Sequence, residues 1–135
     1  MRYTSLLLLA AGVGACTAGP APVRTAEAEA HLQTLVAGKA AGAPVSCLPH
    51  YRANDMIVID DGTVLFKNGR TVYRNDFGGG TCSNLGRGHY ALVTRTSGGS
   101  GLCRGDIAEV RDLSAGITVG SCVLGDFVPY APPRG

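Results

Sequence analysis

The chain predicts a mainly β fold: a small closed or partly closed antiparallel barrel or sandwich of about six strands, with one N-terminal capping helix. Three observations predict it. From Val45 onward, short runs rich in Ile, Val, Thr, Phe and Tyr alternate apolar and polar residues with period two. Gly-rich turns separate these runs, in a chain of 135 residues with 20 glycines and 7 prolines. Four cysteines, Cys47, Cys82, Cys103 and Cys122, are spread over the same region, an even number that reads as two disulfides in a small domain.

The first 15 residues stand outside that domain. Leu6 to Ala15 is an apolar run of ten residues, about half of the roughly 20 that a membrane-spanning helix needs. With Arg2 ahead of it and small residues at its end, it reads as a cleavable export signal. Val13-Gly14-Ala15-Cys16 resembles the bacterial lipoprotein signal, in which the cysteine thiol accepts a diacylglycerol and becomes the first mature residue. That resemblance makes Cys16 a lipid attachment site and the membrane a partner through the anchor, each buried CH₂ contributing about 0.8 kcal/mol. Thr17 after the cysteine, in place of Asp, implies the periplasmic face of the outer membrane. A plain secretory signal cut near Ala15 or Ala18 would instead leave a periplasmic protein.

Residues 16–25 follow as anchor and tether: Thr17 to Thr25 is a Pro/Ala/Gly stretch without periodicity, and nine such residues extend roughly 30 Å. The helical region spans 26–43. Thr25 is the N-cap, Glu27 and Glu29 lie in the first turns, and Leu32, Leu35 and Val36 form an apolar stripe from Ala26 to about Ala37. Gly38 or Gly42 ends the helix, and His31 is a surface residue beside the stripe.

Residues 44–131 form the β domain. Asp60-Asp61-Gly62 and Asn68-Gly69 are turn signals that divide Met56 to Phe77 into a three-strand meander. Val64 and Phe66 share one face of the second strand. A glycine-rich loop, FGGGTC, precedes a strand at His89 to Ser97; a second, GGSGLCRG, precedes a strand at Asp106 to Asp112. A turn at Ser114 to Gly116 leads to the strands ITVG and CVLGDFVPY. Four cysteines allow three pairings. Cys47–Cys122 with Cys82–Cys103 is expected, because it would tie the two ends of the domain and join its two glycine loops.

Charge excludes one class of partner. Loss of the signal removes only Arg2 from the 12 basic residues, so 11 face 10 acidic ones. A chain at +1 has no basic field for nucleic acid. Cys47-x-x-His50 offers two metal ligands, but no second paired motif accompanies it, and no metal or other cofactor is expected. The glycine loops lack the Lys-Ser/Thr of a phosphate-binding loop. A thiol hydrolase built on His50 or His89 has no spacing to support it.

The order Cys47, DDGTVLFKNGRTVYRN, Cys82, GLCRGDIAEV and SCVLGDFVPY resembles a family of small exported, cysteine-containing bacterial envelope proteins. The likeness covers about residues 45 to 131 and ends on Cys122 to Pro129. It implies an envelope location and carries no functional residues. A second likeness is to periplasmic lysozyme inhibitors, also small disulfide-linked β barrels; their Ser-Gly-x-x-Tyr loop has no match in SGGSGL or GRGHY. The expectation is a non-catalytic binding or structural module whose partner is an envelope protein or glycan. Inhibition of a cell-wall hydrolase and a small periplasmic enzyme are the alternatives. Arg87, His89 and Tyr90 make the candidate binding loop, combining a cation, a pH-sensitive donor and an aromatic ring. The competing reading has His89 and Tyr90 merely starting a strand.

Overall fold

The computed structural model describes residues 23–49, 56–95 and 101–134; the segment expected to be an export signal, Cys16 and His50 lie outside them. The described elements are α1 (Ala26–Val36), β1 (Ala40–Ala41), β2 (Cys47–Pro49), β3 (Met56–Asp60), β4 (Thr63–Asn68), β5 (Thr71–Asp76), β6 (Tyr90–Arg95), β7 (Gly101–Cys103), β8 (Ile107–Asp112), β9 (Thr118–Val123) and β10 (Phe127–Ala131). They form a five-stranded sheet in the order β1-β10-β5-β4-β3, a three-stranded sheet β6-β8-β9 and a two-stranded ribbon β2-β7. All pairs are antiparallel. Among the described residues the sheets do not close into one barrel, and the architecture is a partly closed sandwich.

Thr25 caps α1 as its sequence position predicts, its side chain accepting the Ala28 N–H at 3.2 Å. The helix stops at Val36, and Gly38 takes a positive φ of 69° that leads the chain away. The stretch assigned to the helical region up to 43 is therefore partly strand, because Ala40 and Ala41 pair with Ala131 and Tyr130. Residues 24 and 25 are likewise part of the fold and not of a loose tether: Thr25 caps the helix and Arg24 is pinned to β3 and β4.

The meander is β3-β4-β5, turning at Asp60 to Thr63 and Asn68 to Thr71. Val64 and Phe66 point into the main core, while Leu65 on the opposite face joins a second core with Val72, Ile59, Ala28 and Leu32. Both faces of β4 are thus buried. The helix caps the outer face of the five-stranded sheet, where Ala28 and Leu32 pack on Ile59, Leu65 and Val72. The reason is that Leu65 and Val72 leave that face apolar, and burying a Leu contributes about 2 kcal/mol. The main core lies on the other side, where the rings of Phe66 and Phe127 meet in a tilted arrangement, centroids 5.8 Å apart and planes at 57°, in a cluster with Leu92, Leu102, Val110 and Leu124.

More strands are present than the expected six because β1, β2 and β7 have only two or three residues each, too few to display a period. The expected final strand CVLGDFVPY is broken. Its first two residues extend β9, and the chain then crosses at Leu124 to Asp126 into the five-stranded sheet as β10.

The disulfides differ from the expected pairing. Cys47 joins Cys103 and Cys82 joins Cys122. The physical reason is sheet register. Antiparallel pairing of β2 with β7 sets Cys47 opposite Cys103, with Cα atoms 4.0 Å apart. A bridge between Gly78 and Val123 brings the first glycine loop over β9, and Cys82 meets Cys122 there. Two such bonds suit an oxidising, extracytoplasmic compartment.

Candidate functional site

The turn between β3 and β4 organises the most developed surface feature. Asp60 Oδ1 accepts the Gly62 N–H at 2.8 Å and shapes the turn. The Asp61 carbonyl accepts the Cys82 N–H at 2.6 Å, the Gly62 carbonyl accepts the Phe77 N–H at 3.0 Å, and Asp61 Oδ1 accepts the Gly86 N–H at 2.8 Å. Two consecutive positions, Asp61 and Gly62, thereby hold both ends of the 77–86 loop through three hydrogen bonds, and its other anchor is the Cys82–Cys122 bond. Asn84, at φ 73°, makes the bend within it.

Between this loop, the turn and the start of α1 lies an open cleft of about 680 Å³. Val23, Ala28 and Ile59 form its apolar side. Three arginines and three aspartates face it as well: Arg24, Arg74 and Arg87 with Asp60, Asp61 and Asp76. Gly80, Thr81 and Gly86 complete the loop side.

Arg24 is the hub. Its Nε donates to Asp60 Oδ2 at 2.6 Å, one terminal nitrogen donates to Glu29 Oε2 at 3.0 Å, and the other donates to the Thr63 hydroxyl. Thr63, 1% exposed, donates in turn to Asp76 Oδ1 at 2.6 Å. Arg74 grips Asp76 with two nitrogens, at 3.0 Å and 2.9 Å. Burial works to lower the pKa of Arg24, but its bonds to Asp60 and Glu29 outweigh that effect and leave it raised. Arg74 follows the same pattern: burial opposes its charge, while Asp76 and the Tyr130 hydroxyl overcome it. The Glu29 carboxyl sits below its ordinary range, first through the hydrogen bond from Gln33 and then through the bond from Arg24.

These ties leave two groups unused. The Arg87 guanidinium makes no hydrogen bond or ion pair among the described residues, and Asp61 Oδ2 accepts none there either. They are near neighbours, since Asp61 holds the amide of Gly86, the residue before Arg87.

The sequence-predicted binding loop is divided by the fold. Arg87 lines the cleft. Tyr90 begins β6 and packs against the main core, and His89 is exposed outside the cleft, its carbonyl accepting the Leu113 N–H at 3.1 Å. His31 is exposed on α1. Cys47 is consumed by a disulfide and cannot serve as a thiolate ligand, and no group of three or more His, Cys, Asp or Glu is placed to hold a metal ion among the described residues. Sequence reasoning missed Arg24, Asp60, Thr63, Arg74 and Asp76. The available signal was weak: Arg74 and Asp76 share one face of β5 at period two, and Arg24 is the one charge in its stretch.

No known protein family, characterised protein or solved structure matches the chain.

Proposed function

We propose that this chain is an exported binding module of the bacterial cell envelope, held to the periplasmic face of the outer membrane by a lipid on Cys16, and that it acts by recognition without turnover. The cleft is the observation that carries this reading. Its paired groups satisfy one another, Arg24–Asp60 tying the start of the helix to β3 and Arg74–Asp76 running along β5, so we read their side chains as structural struts and not as acid–base machinery. What they support is a shaped, polar opening beside a loop that a disulfide and three hydrogen bonds to its amides hold in place, the arrangement on which recognition is commonly built. The partner is an envelope protein, peptide or glycan.

The anchor is tested by metabolic labelling with palmitate: the wild type takes up label and partitions with membranes, and Cys16→Ala does neither. Absence of label on the wild type removes the anchor. Recognition is tested by recovery of a partner from envelope extract, which Arg87→Ala weakens while leaving thermal stability nearly unchanged. Turnover of an ester, amide or glycoside by the purified protein, abolished by one substitution in the cleft, would overturn the non-catalytic reading.

A further inference from the structure

Resting on that recognition reading, we propose that the cleft binds a short zwitterionic peptide with small aliphatic side chains, its carboxylate on Arg87 and its ammonium group on Asp61. The volume of about 680 Å³ lies in the range of small-ligand sites. Its chemistry narrows the choice. Among the described residues three arginines balance three aspartates along the lining, so a polyanion such as a nucleotide or polyphosphate would meet as much repulsion as attraction. Among the described residues no aromatic ring lines the cleft, and a flat sugar or base therefore finds no stacking platform on them.

Internal pairing then cancels four of the six charges. Arg24 is bound to Asp60, and Arg74 is bound to Asp76 by two nitrogens. Arg87 and Asp61 remain, one cation and one carboxylate oxygen with no partner among the described residues. The Gly86 N–H bond to Asp61 Oδ1 brings the backbone at Arg87 next to Asp61, and both residues line the cleft. A ligand that carries both an anion and an ammonium group satisfies the two at once, and an arginine fork recognises a carboxylate in two-point fashion. Gly80 leaves open space where a side chain would stand. Ala28 and Ile59 supply an apolar wall for methyl-sized groups.

The experiment is calorimetric titration of the purified mature protein, disulfides intact, with four probes: trialanine, its N-acetylated amide, inorganic phosphate and an uncharged trisaccharide. Saturable trialanine binding is expected, weakened about tenfold or more when both termini are blocked, as the loss of charge-assisted hydrogen bonds implies. Asp61→Asn keeps an acceptor for the Gly86 N–H, so the loop stays folded while the preference for a free ammonium group is lost. Arg87→Gln loses the preference for a free carboxylate. Equal affinity for free and blocked peptide, or no saturable peptide binding at millimolar concentration, overturns the proposal. Binding of phosphate or saccharide in place of peptide overturns the ligand class and leaves the recognition reading standing; failure of every probe together with failure to recover an envelope partner removes both.

Discussion

Asn75 and Gly125, 50 residues apart, are joined by two hydrogen bonds: the Asn75 amide nitrogen donates to the Gly125 carbonyl at 2.8 Å, and its oxygen accepts the Gly125 N–H at 3.1 Å. A fully buried side chain thus stands in for a strand at the point where β9 leaves one sheet and β10 enters the other. The same nitrogen also reaches the Asp126 carbonyl at 3.3 Å. Asn75→Ala strands these buried groups, and each unmet group costs about 1–3 kcal/mol. A drop of about 2–4 kcal/mol in stability is expected from urea unfolding, and a loss below 1 kcal/mol would show that water replaces the amide.

Gly125 itself has no room for a side chain, since an added Cβ would lie 2.1 Å from the Asp76 carbonyl oxygen. Gly125→Ala must move backbone at the sheet crossover, and a loss of more than about 2 kcal/mol is expected. A crystal structure of the variant with an unshifted Asp76 would contradict this account.

The two disulfides should respond differently to reductant. Cys82 is completely buried and Cys122 is 9% exposed, whereas Cys47 lies on the surface. Exchange requires a thiolate to reach a sulfur. Under mild reduction, alkylation and peptide mapping should find Cys47 and Cys103 labelled first, with Cys82 and Cys122 protected until the domain unfolds. Simultaneous labelling of all four would mean that the fold opens as one unit. Each bond closes a long loop, with separations of 56 and 40 residues, and contributes about 4 kcal/mol in the chain-entropy model.

Replacing Arg24 tests the hub directly. Arg24→Ala leaves Asp60 Oδ2 and the buried Thr63 hydroxyl oxygen without the arginine donor and detaches the start of α1 from the β3-β4 turn. Because the groups are partly exposed, the expected cost is modest, about 1–2 kcal/mol. Arg24→Lys should recover little of it, since one ammonium cannot reproduce three directed contacts. Full recovery by lysine would reduce the hub to simple charge attraction.

Acid should loosen the same contact. The folded-state pKa of Glu29 is depressed, so its contribution is present above the ordinary glutamate value of about 4.3 and is lost as pH falls through the folded value. Thermal midpoints measured from pH 6 down to pH 3 should fall for the wild type and fall less for Glu29→Gln. Parallel curves for the two proteins would assign the acid sensitivity elsewhere.

Local elements were legible in the residues because their causes are local. Thr25 caps the helix that begins at the next residue through an amide three residues away, and the Leu32 stripe repeats within one turn. Asp60 to Gly62 and Asn68-Gly69 turn strands whose partners adjoin them in sequence. β8 follows the same logic: Ala108 and Val110 are buried, while Ile107 and Arg111 face solvent. What the sequence by itself determined was therefore a helix followed by an antiparallel, disulfide-containing β domain.

Tertiary structure decided the rest, because each remaining feature joins residues that sequence period cannot relate. The Cys47–Cys103 bond follows from a β2-β7 ribbon formed by segments 56 residues apart. Arg24 resembled tether until folding carried it to Asp60, 36 residues on. The helix settled on a sheet face because Leu65 and Val72, which alternation assigns to one side of their strands, needed cover that the strands did not supply. Arg87 reached the cleft while Tyr90, three positions later, turned into the core. Periodicity reports which face of an element is apolar, but the free energy of burying that face is realised only against a partner, and the choice of partner belongs to the whole chain.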